Sequence, residues 1–185
     1  MGNPKERFLE ARKRLNPEGL VFSASASATS PAILPAVGVG TTYIIHELAS
    51  MTNPSVVKVA SIAILGACNT ISIKTESKAL QKDNYSASPI SSTLNVVTDK
   101  PLVSSITGHL INFIPLSVLN PINLYAIATR NYTLLAQSEG AGSLALTTYY
   151  TTLNTLILKG KTEPFIKGVR KVRDVINRKI TALQK

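Results

Sequence analysis

Apolar and polar positions follow a helical period through most of the chain, and the C-terminal segment shows this period best. Apolar residues recur there at spacings of three and four, with lysines and arginines beside them. These residues are Ile166, Val169, Val172, Ile176, Ile180 and Leu183. Thr162 before Glu163 and Pro164 is typical of a helix start. We therefore predict a basic amphipathic C-terminal helix within residues 161–185.

The N-terminal segment predicts a second basic helix, within residues 1–19. Phe8 and Leu15 fall on one face of it, and most of the charges lie on the opposite face. The sequence Asn16-Pro17-Glu18-Gly19 predicts the end of this helix, because proline and glycine continue a helix poorly. Residues 20–30 are rich in alternating serine and alanine and have little apolar volume, so they predict an extended linker.

Residues 31–160 form a charge-poor stretch in which we predict a helical core. The segment 55–73 is the most apolar, and the polar residues after it predict that its helix continues into a polar environment. Those residues are Lys74, Glu76, Lys78 and Lys82. Residues 83–100 contain Pro89 and many serines, which predict a long connection with a short β-capable run at 94–97.

The stretch 101–129 has no formally charged residue, so a bilayer or other protein is expected to cover it. Pro115 and Pro121 interrupt it and predict two helices, 102–114 and 122–137, because proline breaks or kinks a helix.

A further helix over 143–158, set off by the glycines of 139–142, completes the predicted core. We therefore predict an all-α fold, a helical bundle with basic amphipathic N- and C-terminal helices. Its parts are a basic helix (1–19), a small-residue linker (20–30), a charge-poor helical core (31–160) and a basic amphipathic helix (161–185).

The net charge of +10 is concentrated at the two ends of the chain, and the middle is almost neutral. Charged residues make up 16% of the chain, against about 25% in typical soluble domains. Basic ends suit a polyanion, either nucleic acid or an anionic lipid surface. Duplex DNA would be held through its phosphates, with no reading of bases. The candidate phosphate contacts are Arg12, Lys13, Arg14, Lys74, Lys78, Arg170, Lys171, Arg173, Arg178 and Lys179.

The sequence predicts neither an enzyme nor a metal or cofactor site. His46 and His109 are far apart and have no cysteine or paired carboxylates at metal-ligand spacing. No G-x-S-x-G nucleophile elbow occurs, and the glycines of 38–42 lack the lysine of a phosphate-binding loop. Cys68 is the one cysteine, so an intramolecular disulfide is excluded.

Two environments could cover the charge-poor helices. In the first, the chain is an integral membrane protein with cytoplasmic termini, a structural or pore subunit whose lysines and arginines obey the positive-inside rule. Its four spans would lie near 31–51, 55–73, 102–128 and 140–158. Of these, 55–73 alone reaches the mean hydropathy usual for a span, about 1.6 on the common scale. In the second, copies of the chain or a close partner cover a helical subunit, since serine, threonine and asparagine serve interfaces without the cost of burying a charge.

The layout as a whole resembles the coat proteins of filamentous archaeal viruses of the lipothrixvirus and rudivirus type. It combines a basic N-terminal helix, a small-residue linker and charge-poor helices rich in serine, threonine and asparagine in 185 residues. The resemblance implies an all-helical subunit, paired with itself or with a sister coat subunit, that wraps double-stranded DNA into a helical virion which a lipid envelope or membrane can enclose. The predicted function is thus a structural virion coat subunit, with the integral membrane protein as the alternative.

Overall fold

The computed structural model describes residues 4–119 and 121–183, and this part of the chain is helical throughout apart from short connections. The expected all-α fold is therefore confirmed. Residues 1–3 and 184–185, at the outer ends of the two predicted terminal helices, lie outside the described residues, as does residue 120. The helices are α1 (Pro4–Arg14), α2 (Pro17–Met51), α3 (Pro54–Asp83), α4 (Pro89–Thr98), α5 (Pro101–Leu119), α6 (Pro121–Ala128), α7 (Tyr132–Leu158) and α8 (Glu163–Leu183).

Proline and a preceding polar residue set most of the helix starts. Each of α1 to α6 begins with a proline, which suits the first position because the missing N–H has no acceptor there. The side chain of Asn16 accepts a hydrogen bond from the backbone N–H of Gly19 (2.9 Å) and caps α2. The side chain of Ser88 caps α4 in the same way through the N–H of Ser91 (3.2 Å).

The predicted linker over 20–30 is wrong, because these residues lie inside α2. Asn16 and Pro17 start a new helix as well as ending the previous one, and alanine then favours helix strongly. Ser23, Ala26 and Ser30 follow one another at spacings of three and four, and all are buried. Their small side chains form a helical face that packs closely on its neighbours, so little apolar volume was no argument against a helix.

Four further predicted boundaries differ from the structure. The predicted helix 122–137 is divided, because α6 ends at Ala128 and α7 begins at Tyr132. Much of 83–100 is helical, since α4 includes the run 94–97 that was predicted as β-capable. The glycines of 139–142 lie within α7 and do not divide it. A side chain at Gly140 would be only in ordinary contact with Leu65, at 3.6 Å, so this glycine does not serve a turn. α5 also continues past position 115, where proline removes one backbone hydrogen bond without ending the helix.

α7 packs most extensively against α2 and α3, and it runs antiparallel to α2. The hydroxyl of Tyr149 donates to the backbone carbonyl of Ala26 near the start of α2 (2.9 Å). Toward the other end of α2, His46 Nδ1 lies 3.1 Å from Gln137 Oε1. The C-terminus of α7 therefore lies beside the N-terminus of α2.

α7 runs parallel to α3, which places the C-termini of both helices at the same end of the bundle. The hydroxyl of Thr147 donates to Asn69 Oδ1 (2.9 Å). About three turns farther along both helices, Lys82 Nζ donates to the carbonyl of Leu158 (2.9 Å). We call this the basic end. It also holds the start of α2, because the Asn16 amide donates to the carbonyl of Asp83 (3.0 Å).

Candidate functional site at the basic end of the bundle

A buried carboxyl group lies inside the bundle near its basic end. Glu76 of α3 is 2% exposed. One carboxyl oxygen accepts a hydrogen bond from Ser86 Oγ (3.0 Å) and the other from Ser105 Oγ (2.7 Å). Burial raises the pKa of Glu76 to about 7, although these hydroxyl groups act to lower it. The carboxyl group thus exchanges its proton near neutral pH.

Serine side chains extend this hydrogen-bonded cluster toward α2 and α7. Ser23 Oγ donates to the carbonyl of Ser86 (2.5 Å), and Ser92 Oγ accepts from the N–H of Ser86 (2.9 Å). The N–H of Ala87 donates to Asn154 Oδ1 of α7 (2.8 Å). Hydrogen bonds therefore join four helices to the connection between α3 and α4, at a place where soluble bundles ordinarily have apolar contacts.

Sequence reasoning missed the role of Glu76, which was placed with the polar residues 74–82. Lys74, Lys78 and Lys82 are all exposed, and at 100° per residue they share one helix face. Glu76 lies on the opposite face, so a helical wheel separates it from the lysines. That separation was the available signal.

A second polar contact lies farther along the interior. His109 Nε2 lies 3.0 Å from Asn69 Oδ1, which also accepts from Thr147. Burial lowers the pKa of His109, which favours the neutral imidazole. Within the part of the chain that the structure describes, no group of three or more His, Cys, Asp or Glu could hold a metal ion.

An ion-pair cluster fixes the first half of α8 to the start of α2. Glu18 is buried, and its carboxylate pairs with the guanidinium groups of Arg173 and Arg170, the latter at 3.6 Å. Arg173 also lies 3.3 Å from Asp174. These two arginines were predicted as phosphate contacts, and in the structure they position α8.

The first half of α8, which we call its root, is held by apolar contacts as well as by these ion pairs. Ile166 is buried with Tyr85 and Ile157 in one apolar cluster. The ring of Phe165 meets Phe22 edge to face, with centroids 5.5 Å apart. Beyond these contacts every residue from 170 to 183 is exposed. The distal part of α8 therefore lies outside the bundle.

The remaining predicted phosphate contacts differ in how they are held. Arg14 of α1 donates to the carbonyl of Val96 (3.1 Å) and pairs with Asp99 (3.3 Å), which ties α1 to α4. Arg178 donates to the carbonyl of Asp174 one turn before it (3.3 Å). The others have exposed side chains and no described carboxylate within 4.0 Å. They are Arg12, Lys13, Lys74, Lys78, Lys171 and Lys179.

The topology brings these cations together. The ends of α1, α3 and α7 and the whole of α8 lie at the basic end, which therefore carries most of the positive charge. We call the opposite end of the bundle the far end. Among the side chains described there, the one cation is Arg130, which lies between α6 and α7. The sequence placed the charge at the two chain ends, and the fold unites both with the end of α3.

The outer faces of the bundle are apolar. Among the described residues, buried polar side chains outnumber buried apolar ones, while many large apolar side chains are exposed. On α5 these are Leu102, Val103, Ile106, Leu110 and Ile111. At the far end, α2, α3 and α7 form an apolar cleft of about 440 Å³ lined by Ile44, Leu48, Val56 and Ile64 among others. We call these exposed faces of α2, α3, α5 and α6 the apolar walls.

Over the residues described, none of the helices combines the length and the apolar character needed to cross a membrane. Comparison with known proteins adds no assignment: no protein-family model, no curated protein and no solved structure matches the chain.

Proposed function

We propose that the chain is a structural assembly subunit, of the virion coat type, whose apolar walls are covered by copies of itself or by a sister subunit and whose basic end contacts double-stranded DNA. The observation that supports this proposal most is the inverted bundle, polar inside and apolar on its walls. Large apolar patches on a soluble protein are typical of interaction surfaces. A subunit surrounded by others needs few surface charges.

The nucleic-acid part of the proposal is supported by the gathering of cations at one end. Arg12 and Lys13 of α1 are exposed. Asn16, just after α1, donates to the carbonyl of Asp83 at the end of α3 (3.0 Å), the helix that carries Lys78. Such groups bind phosphates by displacing the counterions of the duplex, with no base reading. Arg170 and Arg173 are engaged by Glu18, so the exposed cations of α1 and α3 are the first candidates for DNA contact.

The test is the salt dependence of binding to unrelated duplex sequences. The double substitution Arg12→Gln/Lys13→Gln should make the plot of log binding constant against log salt concentration less steep. The slope should fall in magnitude by about 2, since each lost phosphate contact removes about 0.9. The matched control is Arg130→Gln, which removes an exposed cation from the far end and should leave the slope unchanged. A strong sequence preference, or a flat salt dependence of the wild type, would contradict this function.

The integral membrane protein remains a second candidate, because a bundle embedded in lipid also turns its polar groups inward and its apolar faces outward. This alternative predicts that the full-length protein stays with membranes through an alkaline carbonate wash and floats with them in a density gradient. Recovery in the soluble fraction, with binding to duplex DNA, would favour the assembly subunit.

A further inference from the structure

The distal part of α8 combines an uncovered apolar stripe with a strong positive charge. Val172 is 60% exposed, Ile176 50%, Ile180 48% and Leu183 87%. With Phe165 and Val169 they follow one another at spacings of three and four, so all six lie on one face. Every residue in the last three turns of α8 is exposed.

The stripe continues toward the bundle as an open apolar cleft. This cleft, of about 610 Å³, lies between Val21 of α2 and the side chains of Phe165, Val169 and Val172. Arg173 stands at its rim, held by Glu18. The apolar face of α8 is thus presented from a fixed root and does not depend on a flexible attachment.

Cations flank the stripe on both sides. Arg173 and Lys179 lie at its two edges at 100° per residue, while Lys171 and Arg178 lie on the opposite face. α8 has six lysines and arginines against the two acidic residues Glu163 and Asp174. The edge cations can keep their charged heads in water while their stems lie along an apolar phase.

The charge decides among the possible occupants of this face. A second copy of α8 would bring an equal excess of positive charge against the first, which is unfavourable. Duplex DNA offers phosphates but no apolar phase for the stripe. An anionic phospholipid bilayer offers both, and a helix with low mean hydropathy, a wide apolar stripe and a basic polar face is the kind that lies in the plane of such a surface.

We propose that α8 is a membrane-surface helix that docks the chain on an anionic phospholipid bilayer, with its stripe among the acyl chains and its lysines and arginines among the headgroups. The helix lies along the surface and does not cross it; its 21 residues span about 32 Å. Its root remains attached to the bundle through Ile166 and Glu18. This surface is separate from the exposed cations of α1 and α3.

The test is flotation of the full-length protein with vesicles of phosphatidylcholine alone or mixed with phosphatidylglycerol. The wild type should float with the anionic vesicles and remain below with the neutral ones. The substitution Ile176→Ser/Ile180→Ser should lower the partition coefficient at least tenfold. The matched control is Ile64→Ser/Ile71→Ser, two isoleucines of α3 that are each 55% exposed, and it should float like the wild type.

Several outcomes would overturn this docking surface. Equal flotation with neutral vesicles would remove the role of charge, and equal loss in the control would assign binding to the apolar walls. If the α8 variant instead loses DNA binding and floats normally, α8 is a nucleic-acid helix. If the α8 variant only converts a dimer formed without lipid into a monomer, the partner that covers the stripe is a second copy of the chain. The salt slope of Arg12→Gln/Lys13→Gln is read separately, so failure here is distinguishable from failure of the proposed function.

Discussion

The interior of the bundle around Glu76 is polar, whereas the outer walls of the same helices are apolar. This is the reverse of the usual arrangement in a soluble protein. Inside, Ser23, Ser86 and Ser105 join the helices by hydrogen bonds, whereas outside, Ile64 and Leu110 are more than half exposed. A folded domain normally gains most of its stability from apolar burial. Here the folded monomer gains less, and a large apolar surface remains for association.

The polar interior is also incompletely satisfied. Ser72 Oγ and Asn154 Nδ2 are buried without a hydrogen-bond partner among the described groups. Each such group costs about 1 to 3 kcal/mol. The interior therefore specifies the arrangement of the helices through directional bonds more than it stabilises the monomer. Substitutions of the same kind, made inside and on the walls, measure this difference.

The largest contrast is expected for glycine to alanine. A side chain at Gly108 of α5 would meet Ser91 Oγ and come within 2.9 Å of the Ser91 backbone N, and backbone cannot move away easily. We expect Gly108→Ala to lower the free energy of unfolding by about 3 kcal/mol. The control Gly66→Ala, at a helix position with nothing within 4 Å, should raise it by about 0.5 to 1 kcal/mol. Urea unfolding of both variants checks this, and equal effects would show that α4 and α5 do not pack closely.

The next contrast depends on pH. The pKa of Glu76 is about 7 in the folded chain and 4.5 as the reference for the unfolded one, so folding favours the protonated acid. The contribution of the protonated Glu76 side chain to stability is complete below pH 4.5. It is lost as the pH rises from there through 7, since the folded chain must then bury a charge. Glu76→Gln should remove this loss, which amounts to about 3 kcal/mol. The glutamine amide can donate to Ser105 Oγ, whose own hydrogen can go to the carbonyl of Ile73 at 3.1 Å.

The measurement is the unfolding free energy of the wild type and Glu76→Gln between pH 5 and pH 9. The variant should gain on the wild type between pH 5 and about pH 7, and its advantage should be constant above about pH 8. A difference that stays constant over this range would mean that the carboxyl group is not buried as described.

A smaller effect is expected from one hydroxyl group. Tyr85 is buried, and its hydroxyl lies 2.9 Å from the hydroxyl of Thr162 at the root of α8. Tyr85→Phe should lower the unfolding free energy by about 1 kcal/mol, because Thr162 keeps a buried hydroxyl group with no partner. Tyr125→Phe, on the walls at 62% exposure, should change it by less than about 0.5 kcal/mol. If both variants behave alike in thermal unfolding, the bond at the root of α8 contributes little.

The sequence predicted the class of fold and the C-terminal helix well, because both depend on local patterns. The stripe of α8 has a three-four period, and Glu163 and Pro164 lie in its first turn as expected. The segment 20–30 was predicted wrongly, since its small residues add little to a count of apolar side chains. They contribute to the fold by letting α2 pack closely against other helices. Only the helical spacing of Ser23, Ala26 and Ser30 pointed to a packed face.

For the candidate site, the sequence predicted where the basic residues lie along the chain. It did not predict which residues they pair with in the fold. That the two chain ends are basic is a property of composition, but their meeting at one end of the bundle depends on the antiparallel packing of α2 against α7. The pairing of Glu18 with Arg170 and Arg173 joins residues far apart in sequence. No local pattern marks a buried carboxylate for an arginine on another helix.

The smallest effect on folding is expected on the walls, and there the effect on association should be the largest. Leu110 is 64% exposed on α5, so Leu110→Gln should change the unfolding free energy of the monomer by less than about 0.5 kcal/mol. If copies of the chain cover this wall, the same substitution removes an apolar contact from the interface and should weaken self-association at least fivefold in sedimentation equilibrium. Thr148→Gln, at an exposed polar position of α7, is the control and should leave association unchanged. A loss of 2 kcal/mol in the monomer would place Leu110 in the core, and unchanged association would mean that something other than a second copy covers α5.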